Sequence, residues 1–425
     1  MPNRNRTASV FGNPLRDRLV PMLGSMTGSR SILKSMLRHV LAHLHYGRLT
    51  TILPDGESLH FTGEQETDLQ AVIQVHRWDA LRRLATGGDV AFAEAYMDGG
   101  WSSPDITRLM RVAMLNEAIV QARLAGGFLS RTIARLGHLR NSNTLEGSKR
   151  NISYHYDLGN RFYEAWLDPG MTYSSGYYTK SDMTLEASQD AKYERICDLA
   201  RLQPGETVLE VGCGWGGFAE LAAAKYRCNV TGLTLSNEQH AYARRRLLMQ
   251  GLNDRTNIIL RDYREQDGKF DKIVSIEMFE AVGEEHWPNY FDMIRKRLRP
   301  GGKAVLQIIT IDDDRFETYR KGADFIQRYI FPGGMLPSPT ALVKAVNDAG
   351  LYLQHSEFFG LSYARTLAEW QRRFQHAWQD ISKQGFDERF KRMWEYYLAY
   401  CETGFEQGSI NVGLFVIEHP NNAPS

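Results

Sequence analysis

The hydrophobic positions in the last two-thirds of the chain form short apolar runs that alternate with stretches of helical period. These runs lie at residues 207–211, 229–234, 257–263, 270–276, 303–311, 351–359 and 414–419. Seven strands that alternate with helices predict an α/β fold with a mainly parallel, doubly wound sheet. Ligands of such a sheet bind at the carboxyl ends of its strands.

A different pattern precedes this region and predicts a small α+β domain. The predicted helices cover residues 31–46, 78–85, 91–96 and 106–136. The predicted strands cover residues 49–53, 59–61 and 71–75. Pro54, Asp55 and Gly56 mark a hairpin turn between the first two strands, and Gly126-Gly127 predicts a break in the last helix.

The polar stretch over residues 140–149 has the composition of a linker. It separates an N-terminal accessory domain, residues 1–140, from a larger C-terminal domain, residues 141–425. Two helical insertions, residues 313–349 and 365–406, follow strands on the ligand-binding rim. They are predicted to form a lid over a pocket, and the alternative is that they are extra helices with ordinary core aromatics.

Charge and cysteine content restrict the function. The chain has 425 residues and a net charge of +1, which argues against broad binding to nucleic acid. Basic residues nevertheless concentrate in the first fifty residues and between Glu117 and Glu146. They are either solvated faces or a contact with anionic lipid headgroups. Four cysteines without metal or disulfide spacing fit a reducing cytoplasm, and no run is long and apolar enough to span a bilayer.

The first strand of the larger domain leads into a glycine-rich turn that predicts a nucleotide-type cofactor. Glycines let the backbone turn sharply and approach a ligand, and the amides of the following helix meet polar groups. Spacing alone also allows a dinucleotide, but the acid in the strand end and the extra Trp-Gly favour S-adenosylmethionine (SAM). The residues of this predicted loop are Glu210, Gly212, Gly214, Trp215 and Gly216.

The next strand ends supply further candidates. Thr234 and Gln239 follow the second strand and offer neutral hydrogen-bonding groups for ribose hydroxyls. Asp262 and Tyr263 follow the third strand, where the first would accept from adenine and the second would stack on it. The alternative is that Asp262 and Tyr263 are ordinary surface turn residues. Glu280 follows the fourth strand among apolar neighbours. Burial there would raise the pKa of its carboxyl group and suit it to proton transfer. The alternative is that Glu280 caps a helix or forms an ion pair.

Several motifs in one order resemble the cyclopropane-fatty-acyl-phospholipid synthases and the mycolic acid cyclopropane synthases. The motifs are Tyr-His-Tyr-Asp-Leu-Gly-Asn at 154–160, Met-Thr-Tyr-Ser-Ser-Gly at 171–176, Glu-Val-Gly-Cys-Gly-Trp-Gly at 210–216, Thr-Gly-Leu-Thr-Leu-Ser at 231–236, Phe-Glu at 279–280, Tyr-Ile-Phe-Pro-Gly-Gly at 329–334 and Tyr-Ala-Arg-Thr-Leu at 363–367. The resemblance covers about residue 145 to the C-terminus. It implies a class I SAM-methyltransferase fold, Rossmann-like, preceded by an accessory domain for membrane contact or dimerisation.

The resemblance also implies roles for single residues. Its cofactor contacts fall on the glycine loop and on Tyr173, Ser174, Thr234, Gln239, Tyr263 and Arg264. Glu280, Tyr363 and the backbone of Ile309 match positions that hold a bicarbonate ion, and Cys401 matches a cysteine marked as catalytic. A structural role for Cys401 is the alternative, since no step of the chemistry needs a nucleophile.

The chain departs from the family pattern at three positions. Ser175 replaces a cysteine, and Ala281 and Gln307 replace histidines. Ser175 and Gln307 can still hydrogen-bond an anion, so bicarbonate, positioned by them with Glu280 and Tyr363, is the expected base.

The reaction implied is transfer of a one-carbon unit from SAM to the double bond of unsaturated acyl chains of phospholipids, which forms cyclopropane fatty acids. C-methylation without ring closure is the alternative product. Two other classes of function remain open. One is a methyltransferase that acts on oxygen or nitrogen, and the other is a non-catalytic lipid-binding protein. The resemblance further implies a cytoplasmic protein, peripheral to the inner face of the membrane, with a homodimer as the family's expectation.

Overall fold

The computed structural model describes residues 26–117 and 158–420. Several sequence-based predictions lie outside these ranges. They are the residues before Met26, the helix beyond Glu117 with its Gly126-Gly127 break, the basic stretch that follows Glu117, the linker over 140–149 and motif residues 154–157.

A seven-stranded sheet forms the centre of the described C-terminal part. Its strands are β5 (Thr207–Val211), β6 (Asn229–Thr234), β7 (Thr256–Leu260), β8 (Phe270–Ile276), β9 (Leu298–Ile311), β10 (Tyr352–Phe358) and β11 (Ile410–Glu418). Their order is β10-β11-β9-β8-β5-β6-β7. The strands from β9 to β7 are mutually parallel, and β11 is antiparallel to both neighbours. The predicted doubly wound sheet is confirmed.

Helices cover the sheet and carry the two insertions. In the C-terminal part they are α4 (Asn160–Glu164), α5 (Leu185–Ala200), α6 (Gly217–Ala224), α7 (Asn237–Met249), α8 (Trp287–Arg297), α9 (Asp313–Tyr319), α10 (Pro339–Asp348), α11 (Gly360–Ser382) and α12 (Glu388–Glu406). Because β10 runs parallel to β9, α11 begins on the same rim as the glycine turn after β5. The insertions therefore start where ligands of this sheet class bind.

The N-terminal part has a second, smaller sheet. Its strands are β1 (Tyr46–Ile52), β2 (Ser58–Thr62), β3 (Gln65–Val75) and β4 (Trp101–Ser102), in the order β2-β1-β3-β4. Its helices are α1 (Met26–Leu41), α2 (Trp78–Met97) and α3 (Ile106–Leu115). The predicted hairpin is present as the antiparallel pair β1 and β2. The two short helices predicted around Gly88 form α2, in which Gly88 alone leaves the helical conformation, with φ 66°.

The two parts share one hydrophobic cluster. Tyr96 of α2 lies 6.0 Å from the ring of Tyr396 of α12, and buried side chains of β3, α2 and α3 join the same core. Ion pairs join the same two parts: the Arg111 guanidinium of α3 binds the carboxylates of Glu402 at 3.0 Å and Glu406 at 2.5 Å. The N-terminal part is thus packed against the second insertion rather than against the large sheet.

Across the described ranges, no helix combines the length and apolar character needed to cross a bilayer.

Candidate active site

The turn after β5 has the close-packed geometry that the glycines predict. Gly212 has φ 83°, and a Cβ on it would lie 2.8 Å from Cγ of Met278. Gly216 has φ 85° and is the N-cap of α6. A side chain at Gly212 would collide with Met278, so the backbone here is kept bare at the carboxyl edge of the sheet. Gly214, between them, also has a positive φ of 52°.

The acid at the end of β5 is buried and incompletely bonded. Glu210 is 2% exposed, and its Oε2 has no hydrogen-bond partner within the described residues. Burial raises the pKa of Glu210 well above its ordinary value. A buried acceptor beside a bare glycine turn and a helix N-terminus fits the polar groups of SAM.

The tryptophan of the loop is tied to the motif that precedes it. Trp215 Nε1 donates to Asn160 Oδ1 at 2.7 Å, and Asn160 Nδ2 donates to Glu238 at 2.9 Å. The Trp215 ring lies 5.1 Å from that of Tyr163. These contacts join α4, the glycine loop and α7 on one side of the site.

The residues after β6 make the neutral pair predicted from sequence. Thr234 Oγ1 donates to Gln239 Oε1 at 2.8 Å and accepts from the backbone N–H of Ser236 at 3.1 Å. This arrangement aims the amide NH2 of Gln239 away from Thr234 and keeps it as a donor. Such a donor suits ribose hydroxyls.

At the corner after β7, Asp262 is bonded to Arg264. Its carboxylate accepts from the backbone N–H of Arg264 at 3.0 Å and from the Arg264 guanidinium at 2.8 and 2.7 Å. Asp262, the side chain predicted to bind adenine, is thus also the partner that holds Arg264. Tyr263 packs edge-on against Tyr290, with ring centroids 5.3 Å apart.

Tyr173 and Ser174 lie beneath the insertions. The Tyr173 hydroxyl is 2.8 Å from that of Tyr397, and Ser174 Oγ accepts from Lys192 Nζ at 2.5 Å. Burial lowers the pKa of Lys192 to about 7, while the nearby carboxylate of Glu277 opposes this shift. A lysine buried at this position places a titratable cation next to the acids of the site.

Three donors converge on a carboxylate that the sequence analysis did not single out, that of Glu277. Its Oε1 accepts from the backbone N–H of Ser175 at 2.8 Å and from Gln307 Nε2 at 2.7 Å. Its Oε2 accepts from the hydroxyl of Tyr363 at 2.6 Å. Burial raises the pKa of Glu277, and the bonds from Tyr363 and Ser175 oppose this. Glu277 is therefore the hub of the polar site.

Glu280 lies beside this hub rather than in it. Its Oε1 accepts from the backbone N–H of Ile309 at 2.6 Å, and its Oε2 has no partner among the described residues. Burial, with the negative charge of Glu277, raises the pKa of Glu280 to about 8. At neutral pH Glu280 is accordingly protonated for most of the time.

The expected grouping of anion-binding residues therefore holds in part. Ser175, Gln307 and Tyr363 come together as expected, but all three bind the carboxylate of Glu277. The sequence analysis had expected Tyr363 to lie beside Glu280. Ser175 contributes its backbone amide, since its hydroxyl donates to the carbonyl of Gly176 at 2.8 Å. A signal for Glu277 was its place directly after a strand end, one residue beyond Ile276.

Cys401 lies on α12 as a free thiol among tyrosines. Burial raises its pKa above the ordinary range, so the thiol is protonated at neutral pH. A protonated thiol is a poor nucleophile, which favours the structural alternative for Cys401.

Aromatic rings cluster around Tyr363, whose hydroxyl binds the carboxylate of Glu277. Tyr363 stacks on Phe405 at 4.4 Å, and Tyr173 lies 5.2 Å from Trp370. The ring of Phe331, from the predicted Tyr-Ile-Phe-Pro-Gly-Gly motif, is 6.2 Å from that of Tyr397. Both insertions thus contribute rings to one aromatic cluster, which includes Tyr173, Tyr363 and Tyr397.

Comparison with known proteins places this site in a recognised group. A family model described as mycolic acid cyclopropane synthetase matches residues 143–415. The chain is 37% identical over 412 residues to tuberculostearic acid methyltransferase UfaA1 of Mycobacterium tuberculosis, and the match covers 92% of each chain. It is 35% identical over 352 residues to cyclopropane-fatty-acyl-phospholipid synthase of Escherichia coli K12, which covers 80% of this chain and 86% of that protein.

A solved structure shares the larger part of the fold. It is that of mycolic acid cyclopropane synthase CmaA1 complexed with SAH and CTAB, with 32% sequence identity and a TM-score of 0.60. The match covers 63% of this chain and 97% of that chain. The glycine loop and the carboxylates of Glu277 and Glu280 all lie within the residues that the family model matches.

Proposed function

The chain belongs to the mycolic acid cyclopropane synthetase family and is a SAM-dependent methyltransferase, and from this premise we propose its substrate and product. We propose that it transfers a one-carbon unit to the double bond of unsaturated fatty acyl chains of phospholipids and forms cyclopropane fatty acids. The observation that carries this proposal is the pair of buried carboxylates, Glu277 and Glu280, with Glu277 bound to Tyr363 of an aromatic cluster.

The chemistry of an alkene substrate requires this combination. When bound, SAM supplies a methyl group on a sulfonium sulfur, which the π electrons of an alkene take up while the S–C electron pair stays on sulfur. An alkene is a weak nucleophile, so the site must orient it and keep water out. Tyr363, Phe405 and Trp370 offer aromatic faces to the cationic chain that results. A carboxylate beside them can accept the proton that the chain must lose.

A product without a ring is the second candidate. If the proton leaves a neighbouring chain carbon rather than the transferred carbon, the product is a methyl-branched unsaturated chain. If a hydride first moves from the methyl-bearing carbon to the cationic carbon, loss of a proton from the transferred carbon gives a methylene-bearing chain. Ala281 and Gln307, which stand in place of two histidines of the family pattern, favour this candidate because they alter the proton acceptors near the transferred carbon. The 37% identity to a tuberculostearic acid methyltransferase also supports it.

Lipid analysis tests the proposal and separates the products. Purified protein is incubated with methyl-labelled SAM and vesicles of unsaturated phosphatidylethanolamine or phosphatidylglycerol. Mass spectrometry should show labelled one-carbon additions to unsaturated chains only, and saturated vesicles serve as the control. No labelled acyl chain would overturn the proposal, even where calorimetry shows that SAM binds. Proton NMR of the product then distinguishes the ring from a methyl or methylene group.

We also propose a peripheral site of action at the inner face of the cytoplasmic membrane. Support comes from α1, where Ile32 is 61% exposed beside the exposed residue Arg30. Lys34 and Arg38 of this helix bind Glu57 of the hairpin, so they are less able to attract lipid headgroups. Sedimentation with anionic vesicles and not with zwitterionic vesicles would support membrane contact. Light scattering would test the homodimer that the family resemblance implies.

A further inference from the structure

Glu277 occupies the hydrogen bonds that a bicarbonate ion would need. The family pattern gives bicarbonate to the positions of Glu280, Tyr363 and the backbone of Ile309, together with a cysteine and a histidine that Ser175 and Gln307 replace. In this chain, Ser175, Gln307 and Tyr363 bind the carboxylate of Glu277, and the backbone N–H of Ile309 binds Glu280. The donors assigned to an external anion are therefore satisfied by side chains of the protein.

A bicarbonate ion does not fit this arrangement. To reach the amide of Ser175 and the hydroxyl of Tyr363, it would have to lie against the Glu277 carboxylate. Two negative charges about 4 Å apart repel by about 4 kcal/mol at an effective dielectric constant of 20. Lys192 is the nearby cation, but burial lowers its pKa to about 7, so it does not fully compensate a second anion.

The backbone of Glu277 shows that its carboxylate is held at this position against a local cost. Its φ is 49°, in the left-handed region that glycine adopts freely and that other residues adopt at roughly 1 kcal/mol or more. The backbone N–H of Glu277 donates to the carbonyl of Gln307 at 2.9 Å. Backbone and side chain are thus both fixed to β9, which directs the carboxylate toward Tyr363.

We propose that Glu277 is the built-in general base of this enzyme and takes the place of bicarbonate. The inference rests on the proposed function and holds for either product. The methylated acyl chain loses a proton to the Glu277 carboxylate, and the C–H electron pair closes the ring or forms a new double bond. The resulting carboxylic acid releases its proton to solvent before the next turnover.

Glu277→Gly is the informative variant. Glycine accepts the left-handed backbone without strain, so the fold should be kept, and the donors of Ser175, Gln307 and Tyr363 become available to an added anion. Turnover of the natural protein should be the same in carbonate-free buffer and in millimolar bicarbonate. Turnover of Glu277→Gly should fall by about 100-fold or more without bicarbonate and recover when bicarbonate or formate is added.

A binding measurement checks the same point without turnover. Carbon-13 NMR of labelled bicarbonate should show line broadening with Glu277→Gly and none with the natural protein. Glu284→Gly is the matched control: this carboxylate pairs with Arg320 on the same rim, and its loss should change neither measurement.

Two results would overturn the inference. One is loss of turnover by the natural protein when carbonate is removed, and the other is unchanged turnover by Glu277→Gly in carbonate-free buffer. Failure of the proposed function gives a different result, because the natural protein would then add no labelled carbon to any unsaturated vesicle. The NMR experiment still reports on the anion site in that case.

Discussion

At the scale of the residue, the hydroxyl of Tyr363 is the donor whose removal affects Glu277 most selectively. Tyr363→Phe removes the 2.6 Å bond to Oε2 and leaves the ring stacked on Phe405. A hydrogen bond to a charged group contributes about 1.5–3 kcal/mol. We expect kcat to fall about 10-fold or more while calorimetry shows an unchanged Kd for SAM.

Tyr226→Phe is the control for this variant, since Tyr226 also donates to a carboxylate, that of Asp198, but on the amino-terminal side of β6. Its kcat should match that of the natural protein. Equal loss of turnover and of SAM affinity in Tyr363→Phe would contradict the prediction, because it would make Tyr363 a cofactor or folding residue.

Glu280 gives the protein a pH-dependent stability whose sign is fixed. Its pKa in the folded chain is about 8, against an ordinary value of 4.5. The folded state therefore binds one more proton between these values, and stability falls as pH rises, by about 1.4 kcal/mol per unit. Glu280→Gln cannot titrate and keeps an acceptor for the backbone N–H of Ile309.

Urea unfolding of both proteins between pH 5 and pH 8 measures the difference. The stability of the natural protein relative to Glu280→Gln should decrease steadily over this range. A difference that is constant with pH would show that Glu280 is already ionised in the folded chain. Glu277 and Lys192 face the same site and titrate in both proteins, so the difference reports Glu280 together with its coupling to Glu277.

The sequence could predict which residues gather at the site but not which of them is central. Ser175 and Tyr363 lie in motifs of the family pattern and Gln307 stands where that pattern has a histidine, so their meeting at the strand ends was foreseeable. Glu277 and Glu280 are both acids after β8, and one sequence does not show which carboxylate points at Tyr363. That choice depends on a φ of 49° at Glu277, a tertiary property that residue type does not reveal.

At the scale of the element, α3 and α12 are joined by an ion pair that is largely removed from water. The side chain of Arg111 is 29% exposed and that of Glu402 only 7%. Arg111→Met would leave Glu402 and Glu406 close together without their cation. Because the group is partly exposed, we expect a loss of about 2 kcal/mol in the free energy of unfolding rather than the larger cost of a fully buried pair.

Arg108→Met is the matched control, one turn earlier on α3, where Arg108 pairs with Asp105 and both side chains are more than half exposed. Denaturant unfolding should show a change below about 0.5 kcal/mol for this variant. Equal stability of Arg111→Met and Arg108→Met would contradict the role given to the pair.

Element boundaries could be predicted where the local pattern decides them. The apolar runs at β5, β6 and β8 match the strands residue for residue, since a buried parallel strand is apolar along its length. β9 begins at Leu298, five residues before its predicted start, through Arg-Pro-Gly-Gly, which is typical of a turn. Pairing of Leu298 with Phe270 of β8, a tertiary contact, extends this strand.

At the scale of the whole molecule, the shared hydrophobic cluster makes the C-terminal part depend on the N-terminal part. The large sheet carries the glycine loop, so a chain that begins at residue 141 should still bind SAM. It would expose the buried face of α12, where Tyr396 is 3% exposed in the full chain. We expect its Tm to fall by at least about 5 °C, since each kcal/mol lost shifts Tm by about 2–4 °C at this size.

A chain that begins at Met26 is the control, because it keeps every described contact, and calorimetry should give it the Tm of the full chain. An unchanged Tm for the chain from residue 141 would mean that the contact between Tyr96 and Tyr396 adds nothing to stability, and would contradict the dependence of the C-terminal part on the N-terminal part.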